Sequence, residues 1–332
     1  MSWQNTPALS RRAALGLIGA VGGGVGLAGT ARAAFPDHDV RMIVGFSAGG
    51  AVDLVARLLS DPLRAALGQT VVVDNRPGAS GLIAADAVAR SPADGHTVYV
   101  SAMSAYAVLP QVPGQPMPLN MERDLVPIAN VAGVINALVV SPKSPFKSVP
   151  ELIAAAKAKP GGLSYASTGN GTSQHLAAEL FSRLAGIEMT HIPYRGGSNA
   201  IVDIIAGRVD MTFGNFPEFI GQIREGSLRL LAFGGTRASP LFPNTPLVRD
   251  TVPGFEVTNW IGLAGPAAMP APAVAAWDAA VAKVVASEEF RAKVTDAGME
   301  VLGQDQAAFK ATIANDRRRW GDVIKQAGLK AD

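Results

Sequence analysis

The stretch Val40-Arg41-Met42-Ile43-Val44-Gly45-Phe46-Ser47-Ala48-Gly49-Gly50-Ala51-Val52-Asp53 decides the fold. Its first half is a short apolar run reading as a strand over Val40–Phe46. Its second half opens a helix over Ala51–Ala66, with Leu54, Val55, Leu58, Leu59 and Leu63 at helical spacing. A strand that passes through glycine into a helix begins a βαβ unit. Outward from it, Thr70–Asp74 reads as strand and Leu82–Arg90 as helix. Thr97–Ala102 reads as strand after the Ala93-Asp94-Gly95 turn. The stretch from Pro110 to Pro118 then breaks the rhythm as a surface loop.

A long apolar strand, Ala132–Val140, restarts the pattern. Ser148 and Glu151 form a capping box at the head of helix 149–159, which stops at Pro160-Gly161-Gly162. Strand Leu163–Ser167, helix Ser173–Ala185, strand Met189–Ile192, helix Ser198–Ala206 and strands Val209–Phe213 and Leu228–Phe233 complete a second α/β unit. An extended segment, Glu256–Leu263, leads to helices at 271–286, 288–297 and 305–327. The last carries an apolar stripe at Phe309, Ile313, Trp320, Ile324 and Ala327. Its Arg317-Arg318-Arg319 run reads as a solvated face. Two α/β units joined by two extended segments predict two domains, each a Rossmann-like sheet flanked by helices and hinged by two crossover strands. The expected domains are 34–135 with 258–332, and 136–257. A ligand of such an arrangement sits in the cleft between them.

The 332 residues are 48% hydrophobic and 17% charged, with 36 glycines and no cysteine. That length supports two cores, and the missing cysteine excludes disulfides, thiolate metal sites and a cysteine nucleophile. Four histidines (His38, His96, His175, His191) are few for a histidine-built metal centre, and neither a metal nor a cofactor is expected. A formal charge of +2 lacks the electrostatic footprint of a nucleic-acid binder. At the N-terminus, Ser10-Arg11-Arg12 precedes a soft apolar run with seven glycines, Ala13–Ala31, followed by Ala31-Arg32-Ala33. This reads as an export signal over 1–33, with paired arginines of the twin-arginine type and cleavage near Ala33 or Ala34. The run is too glycine-rich for a good transmembrane helix, the competing reading. Cleavage would remove Arg11, Arg12 and Arg32 and no acid, taking the charge from +2 to −1.

Two glycine-rich turns from strand to helix carry the chemistry. The first is Gly45-Phe46-Ser47-Ala48-Gly49-Gly50 and the second Ser167-Thr168-Gly169-Asn170-Gly171-Thr172-Ser173. Each combines a hydroxyl at a strand end, glycines that admit close backbone approach, and the positive end of a helix dipole, which together suit an anion. Paired across a cleft, they suit a small carboxylate. No Gly-Lys-Ser/Thr follows either turn and no GxGxxG opens the first helix, which argues against nucleotide phosphates and dinucleotides. Gly45-Phe46-Ser47-Ala48-Gly49 matches the G-x-S-x-G nucleophile elbow, so a serine hydrolase with Ser47 as nucleophile and His175 or His191 as base is the alternative. The elbow lies too near the start of the processed chain for the strands that normally precede it. His191, the last histidine, also lies far from the C-terminus.

At these turns the sequence resembles the Bug-type (TctC-like) periplasmic substrate-binding proteins of tripartite tricarboxylate transport systems. Phe46-Ser47-Ala48-Gly49-Gly50-Ala51-Val52-Asp53 is similar to that family's first ligand loop. Asn75-Arg76-Pro77-Gly78-Ala79 resembles its Asn-Arg-Pro-Gly-Ala segment, and Gly169-Asn170-Gly171-Thr172-Ser173 with His175 its second loop. His191-Ile192-Pro193-Tyr194-Arg195-Gly196 and Gly207-Arg208-Val209-Asp210 resemble two further family motifs. The resemblance implies a type II periplasmic-binding-protein-like fold that closes on a small dicarboxylate, tricarboxylate or aromatic acid without turnover. It also implies a periplasmic monomer that hands its cargo to the membrane subunits of a tripartite tricarboxylate-type transporter; a ligand-presenting sensor would look the same. The expected ligand contacts are Phe46, Ser47, Ala48, Gly49, Gly50 and Asp53 from the first turn, and Thr168, Gly169, Asn170, Gly171, Thr172 and Ser173 from the second. Ser104 and Asn215, near strand ends, complete the set. Gly214 stands before Asn215 where many members carry an acid, which marks the distal pocket as different. His175, His191 and Tyr194 are expected to brace turns, and Asn75 and Arg76 to organise the Pro77-Gly78 turn. Ser47→Ala and Thr172→Ala are each predicted to weaken carboxylate binding without unfolding the protein. Titration calorimetry beside a thermal melt checks this, and wild-type affinity in both variants would sink the two-loop reading.

Overall fold

The computed structural model describes residues 35–194 and 196–330, so the predicted export signal over 1–33 lies outside the described residues. The strands are β1 (Val40–Val44), β2 (Val71–Asn75), β3 (Thr97–Ala102), β4 (Leu125–Val140), β5 (Leu163–Ser167), β6 (Met189–Pro193), β7 (Met211–Asn215), β8 (Arg229–Phe233), β9 (Thr258–Pro266) and β10 (Glu300–Gln304). The helices are α1 (Ala51–Leu67), α2 (Leu82–Ala89), α3 (Met121–Asp124), α4 (Val149–Ala158), α5 (Ser173–Ala185), α6 (Gly197–Ile205), α7 (Ile220–Arg224), α8 (Ala271–Ala286), α9 (Glu288–Asp296) and α10 (Gln306–Ala327). Every βα alternation read from the periodicity is present. The capping box at Ser148 forms with one change: Ser148 Oγ accepts from the Glu151 amide, while the Glu151 carboxylate reaches back to the amide of Lys147 rather than that of Ser148.

The strands hydrogen-bond in the order β2-β1-β3-β9-β4-β7-β5-β6, and β8 and β10 also pair with β4. β1, β2 and β3 are mutually parallel, as are β5, β6 and β7 through β5. All pairings of β4 and β9 are antiparallel. β4 is longer than its apolar core predicts, starting at Leu125 rather than Ala132. Leu125–Ile135 pairs with β9, and Asn136–Val140 pairs with β7. The backbone satisfaction supplied by β9 carries the strand through Pro127 and Asn130, which precede the strand read from the sequence. β10 went unpredicted for the same reason: its five residues alternate weakly and gain their pairing from β4.

Three apolar clusters hold these elements. Val55, Leu59 and Leu63 of α1 pack with Trp277 and Val281 of α8 against β1 and β3. Tyr99, Phe309 and Trp320 sit with the buried side of α5 in a second cluster, and Phe216, Phe219 and Phe233 meet α6 in a third. The Arg317-Arg318-Arg319 run departs from the expected solvated face. Arg317 pairs with Glu122, Arg319 donates to the Glu256 carbonyl (2.6 Å), and only Arg318 is fully exposed. Trp277 is wholly buried and its indole N–H donates to the Gly95 carbonyl (2.8 Å). Trp277→Ala is expected to cost about 3–5 kcal/mol, seen as a lower denaturant midpoint at unchanged slope.

Candidate functional site

At the first turn, α1 begins at Ala51 with Gly50 as its N-cap, so no side chain caps from ahead. Asp53 caps from behind instead. Its Oδ2 accepts the Gly49 amide (2.9 Å) and Arg57 Nε (2.8 Å), and its Oδ1 accepts from Asn75 Nδ2 (2.9 Å). Asn75 also donates to the Phe46 carbonyl (3.1 Å), which ties the end of β2 to this turn. Burial by itself raises the Asp53 pKa; hydrogen bonds from Arg57, Gly49 and Asn75 outweigh it and hold the carboxyl below its ordinary value. A Cβ on Gly45 would lie 2.6 Å from Gly81 Cα, so the turn at 78–81 packs directly on the end of β1. Arg76 pairs with Asp74 (2.8 Å) on its own loop.

At the second turn, Thr172 caps α5 by accepting the His175 amide (3.4 Å) and donates to the Gly169 carbonyl (2.8 Å). Ser167 Oγ accepts the Gly169 amide (3.1 Å) and meets His191 Nε2 at 2.6 Å. His175 Nδ1 accepts the Gly171 amide (3.1 Å). Tyr165, His191 and His175 stack in that order, with centroids 4.9 and 4.3 Å apart. These bonds turn both imidazoles to the glycine loop, as bracing residues do. Asp37, His38 and His96 form a separate cluster with donor atoms within 4.8 Å of one another. The Asp37 carboxylate meets both rings there, and the rings stack at 3.6 Å.

The two turns meet across a cleft. Ser80 Oγ donates to the Asn170 carbonyl (2.9 Å), although Ala79 and Ser80 must adopt left-handed backbone (φ 46° and 52°) to present it. Non-glycine residues hold that conformation only when their surroundings over-determine it. An outer cavity of about 780 Å³ opens between Phe46, Ser47, Pro77, Thr168, Asn170 and Tyr194. Behind it, Phe46, Ser47 and Thr168 also line an inner cavity of about 30 Å³. Of the expected contacts, Ala48, Gly50, Ser104, Thr172, Ser173 and Asn215 border the inner cavity, and Gly169 and Asn170 the outer one. Gly49, Asp53 and Gly171 border neither, and the Asp53 carboxylate accepts from Gly49, Arg57 and Asn75. Sequence reasoning missed Gly197, Glu218 and Asn259 on the inner wall, which come from three separate segments. Glu218 follows Asn215 in one tight turn, and an acid there was the available signal. Its Oε1 accepts from Asn215 Nδ2 (2.9 Å) and from the Ala51 amide (3.3 Å) at the head of α1. Burial pushes the Glu218 pKa above its ordinary value, against those two hydrogen bonds.

The family model described as "Tripartite tricarboxylate transporter family receptor" matches residues 55–329. The chain belongs to that receptor family. Among its relatives, a UPF0065 protein from the tcbD-tcbE intergenic region of Pseudomonas sp. strain P51 is 35% identical over 301 residues, covering 90% of this chain and 89% of the relative. A solved R. palustris protein, Rpa4515 with adipate, superposes with TM-score 0.86 at 32% identity, covering 89% of this chain and 99% of that one. MatC from Rhodopseudomonas palustris, solved with bound malate, gives 0.82 at 27% identity, with 87% and 100% covered. The fold of this receptor is thus a mixed α/β sheet of the periplasmic-binding-protein kind. Among the described residues, no helix is long and apolar enough to cross a membrane.

Asp53→Ala removes the acceptor of the Gly49 amide and of Arg57 Nε and one of the two acceptors of Asn75 Nδ2, and is expected to destabilise the protein by about 1–3 kcal/mol. The wild-type contribution has the sign of a depressed carboxyl. It is fully present above the ordinary carboxylate pKa and is lost as pH falls through the lower folded value. Denaturation midpoints of both proteins converging only in strong acid check this.

Proposed function

We propose that this receptor captures a small organic carboxylate between the turns at 45–53 and 167–173 and delivers it to the membrane subunits of a tripartite tricarboxylate-type transporter. The carrying observation is that both turns, each ending in a helix N-terminus, border one cleft, with the hydroxyl-bearing residues Ser47, Thr168 and Ser104 on its wall. Adipate and malate in the solved relatives support the ligand class. The inner cavity of about 30 Å³ holds one or two waters. A dicarboxylate therefore enters only when the cleft opens and is retained when it closes. The hinge lies where β4 and β9 run between two lobes, 34–135 with 258–332 and 136–257. Ligand bridging the two helix ends favours the closed state by its differential affinity. Binding without turnover, action as a monomer in the periplasm, and export through a twin-arginine signal cleaved near Ala33 complete the reading.

Thermal shift of the processed protein against aliphatic and aromatic carboxylates, with non-acid analogues as controls, tests this directly. Ligand at a hundredfold its dissociation constant is expected to stabilise by about 2.7 kcal/mol. A shift by non-acids equal to that by acids would refute the carboxylate clamp.

A further inference from the structure

The inner wall of the cleft contains one charged group, and its sign is wrong for a simple anion pocket. Glu218 is the only ionisable residue bordering the inner cavity among the described residues; no lysine, arginine or histidine joins it. Its Oε1 is satisfied by Asn215 and the Ala51 amide, as described above. Its Oε2 is sealed from solvent although the residue as a whole keeps some surface, and it has no hydrogen-bond donor. A Cβ placed on Gly197 would come within 2.3 Å of that oxygen, so it sits hard against the start of α6. Asn215 is 8% exposed and spends its Nδ2 on Glu218, which leaves its own buried Oδ1 without a donor as well. Two acceptors on linked side chains that both border the inner cavity are therefore without a donor among the described residues.

The position is built rather than incidental. The ring of Phe219 occupies the place of a side chain at 214, where a Cβ would meet it at 2.0 Å. Gly214 thus permits the tight turn that brings Glu218 under the head of α1. A carboxylate placed there removes one N–H of that helix from the anion site and adds negative charge beside the rest. A plain diacid closed into this cleft would face a third carboxyl group with no cation among the described lining residues to offset it. Buried polar acceptors without donors are costly, and a buried charge is retained when it is paired.

We propose that Glu218 and Asn215 form an ammonium subsite, so that the preferred cargo is an organic acid bearing a primary ammonium group next to a carboxylate, an α-amino acid. One ammonium carries three N–H donors and satisfies Glu218 Oε2 and Asn215 Oδ1 together. Its carboxylate then falls to the hydroxyls and amides around Ser47, Thr168 and Ser173, and the remainder of the ligand extends into the outer cavity. This inference rests on the carboxylate reading above and narrows it.

The test is titration calorimetry with matched pairs that differ by the ammonium alone: succinate and aspartate, glutarate and glutamate, adipate and 2-aminoadipate. Wild-type protein is expected to bind the ammonium-bearing member of at least one pair about tenfold or more tightly than its partner. Glu218→Gln keeps the acceptor toward Ala51 and removes the charge. It is expected to weaken that ligand about tenfold or more and to strengthen the plain diacid, with an unchanged thermal midpoint. A wild-type preference for the plain diacid in every pair, or equal affinities, overturns the subsite while leaving the carboxylate clamp standing. That comparison needs no variant, so it decides the matter even if Glu218→Gln folds poorly. An unchanged selectivity ratio in Glu218→Gln also overturns the subsite. Binding of no acid to either protein removes the carboxylate reading and the subsite with it.

Discussion

The antiparallel pairing of β4 is the constraint on which the rest of the molecule depends. One sixteen-residue strand bonds to β9 and β10 along its first part and to β7 and β8 along its second. Every other strand reaches the sheet through one of these neighbours. The parallel sets β1-β2-β3 and β5-β6-β7 are therefore held to one backbone. Their strand-to-helix turns lie at the carboxyl ends of β1 and β5, where open α/β sheets bind ligands. The cleft follows from this pairing.

The chemistry of the cleft follows from how the helix ends are satisfied. α1 lacks a side-chain cap in front, and Asp53, Ser47 and Glu218 share the amides around it: Asp53 takes Gly49, the Ser47 carbonyl takes Gly50, and Glu218 takes Ala51. α5 is capped by Thr172. Among the described residues the inner wall holds no lysine or arginine, so Glu218 is its one ionisable side chain. Ser80, held in left-handed backbone, joins the second loop by its hydrogen bond to the Asn170 carbonyl.

Much of this was legible in the chain. The alternation of apolar runs and 3.6-residue stripes marks the βα units, because burial on one face imposes the period of each element. The two glycine turns stand out because close backbone approach excludes side chains. The bracing roles of His175 and His191 follow from their places beside those turns. Other features were hidden. β10 and the first seven residues of β4 carry weak local patterns and exist through partners far along the chain. The arginine run of α10 reads as solvated until Glu122 and Glu256 are placed against it.

What the sequence determined by itself was the α/β class, the order of its units, the two glycine-rich strand-to-helix turns and the family to which the chain belongs, since each is written in local spacing. The tertiary structure decided which of those loop residues face the cleft, drew Asp53 away from it and brought Glu218 and Asn259 into it. Contacts such as Glu218 with Ala51 join residues 167 positions apart. No local period encodes such a distance; only the folded sheet brings those groups within reach.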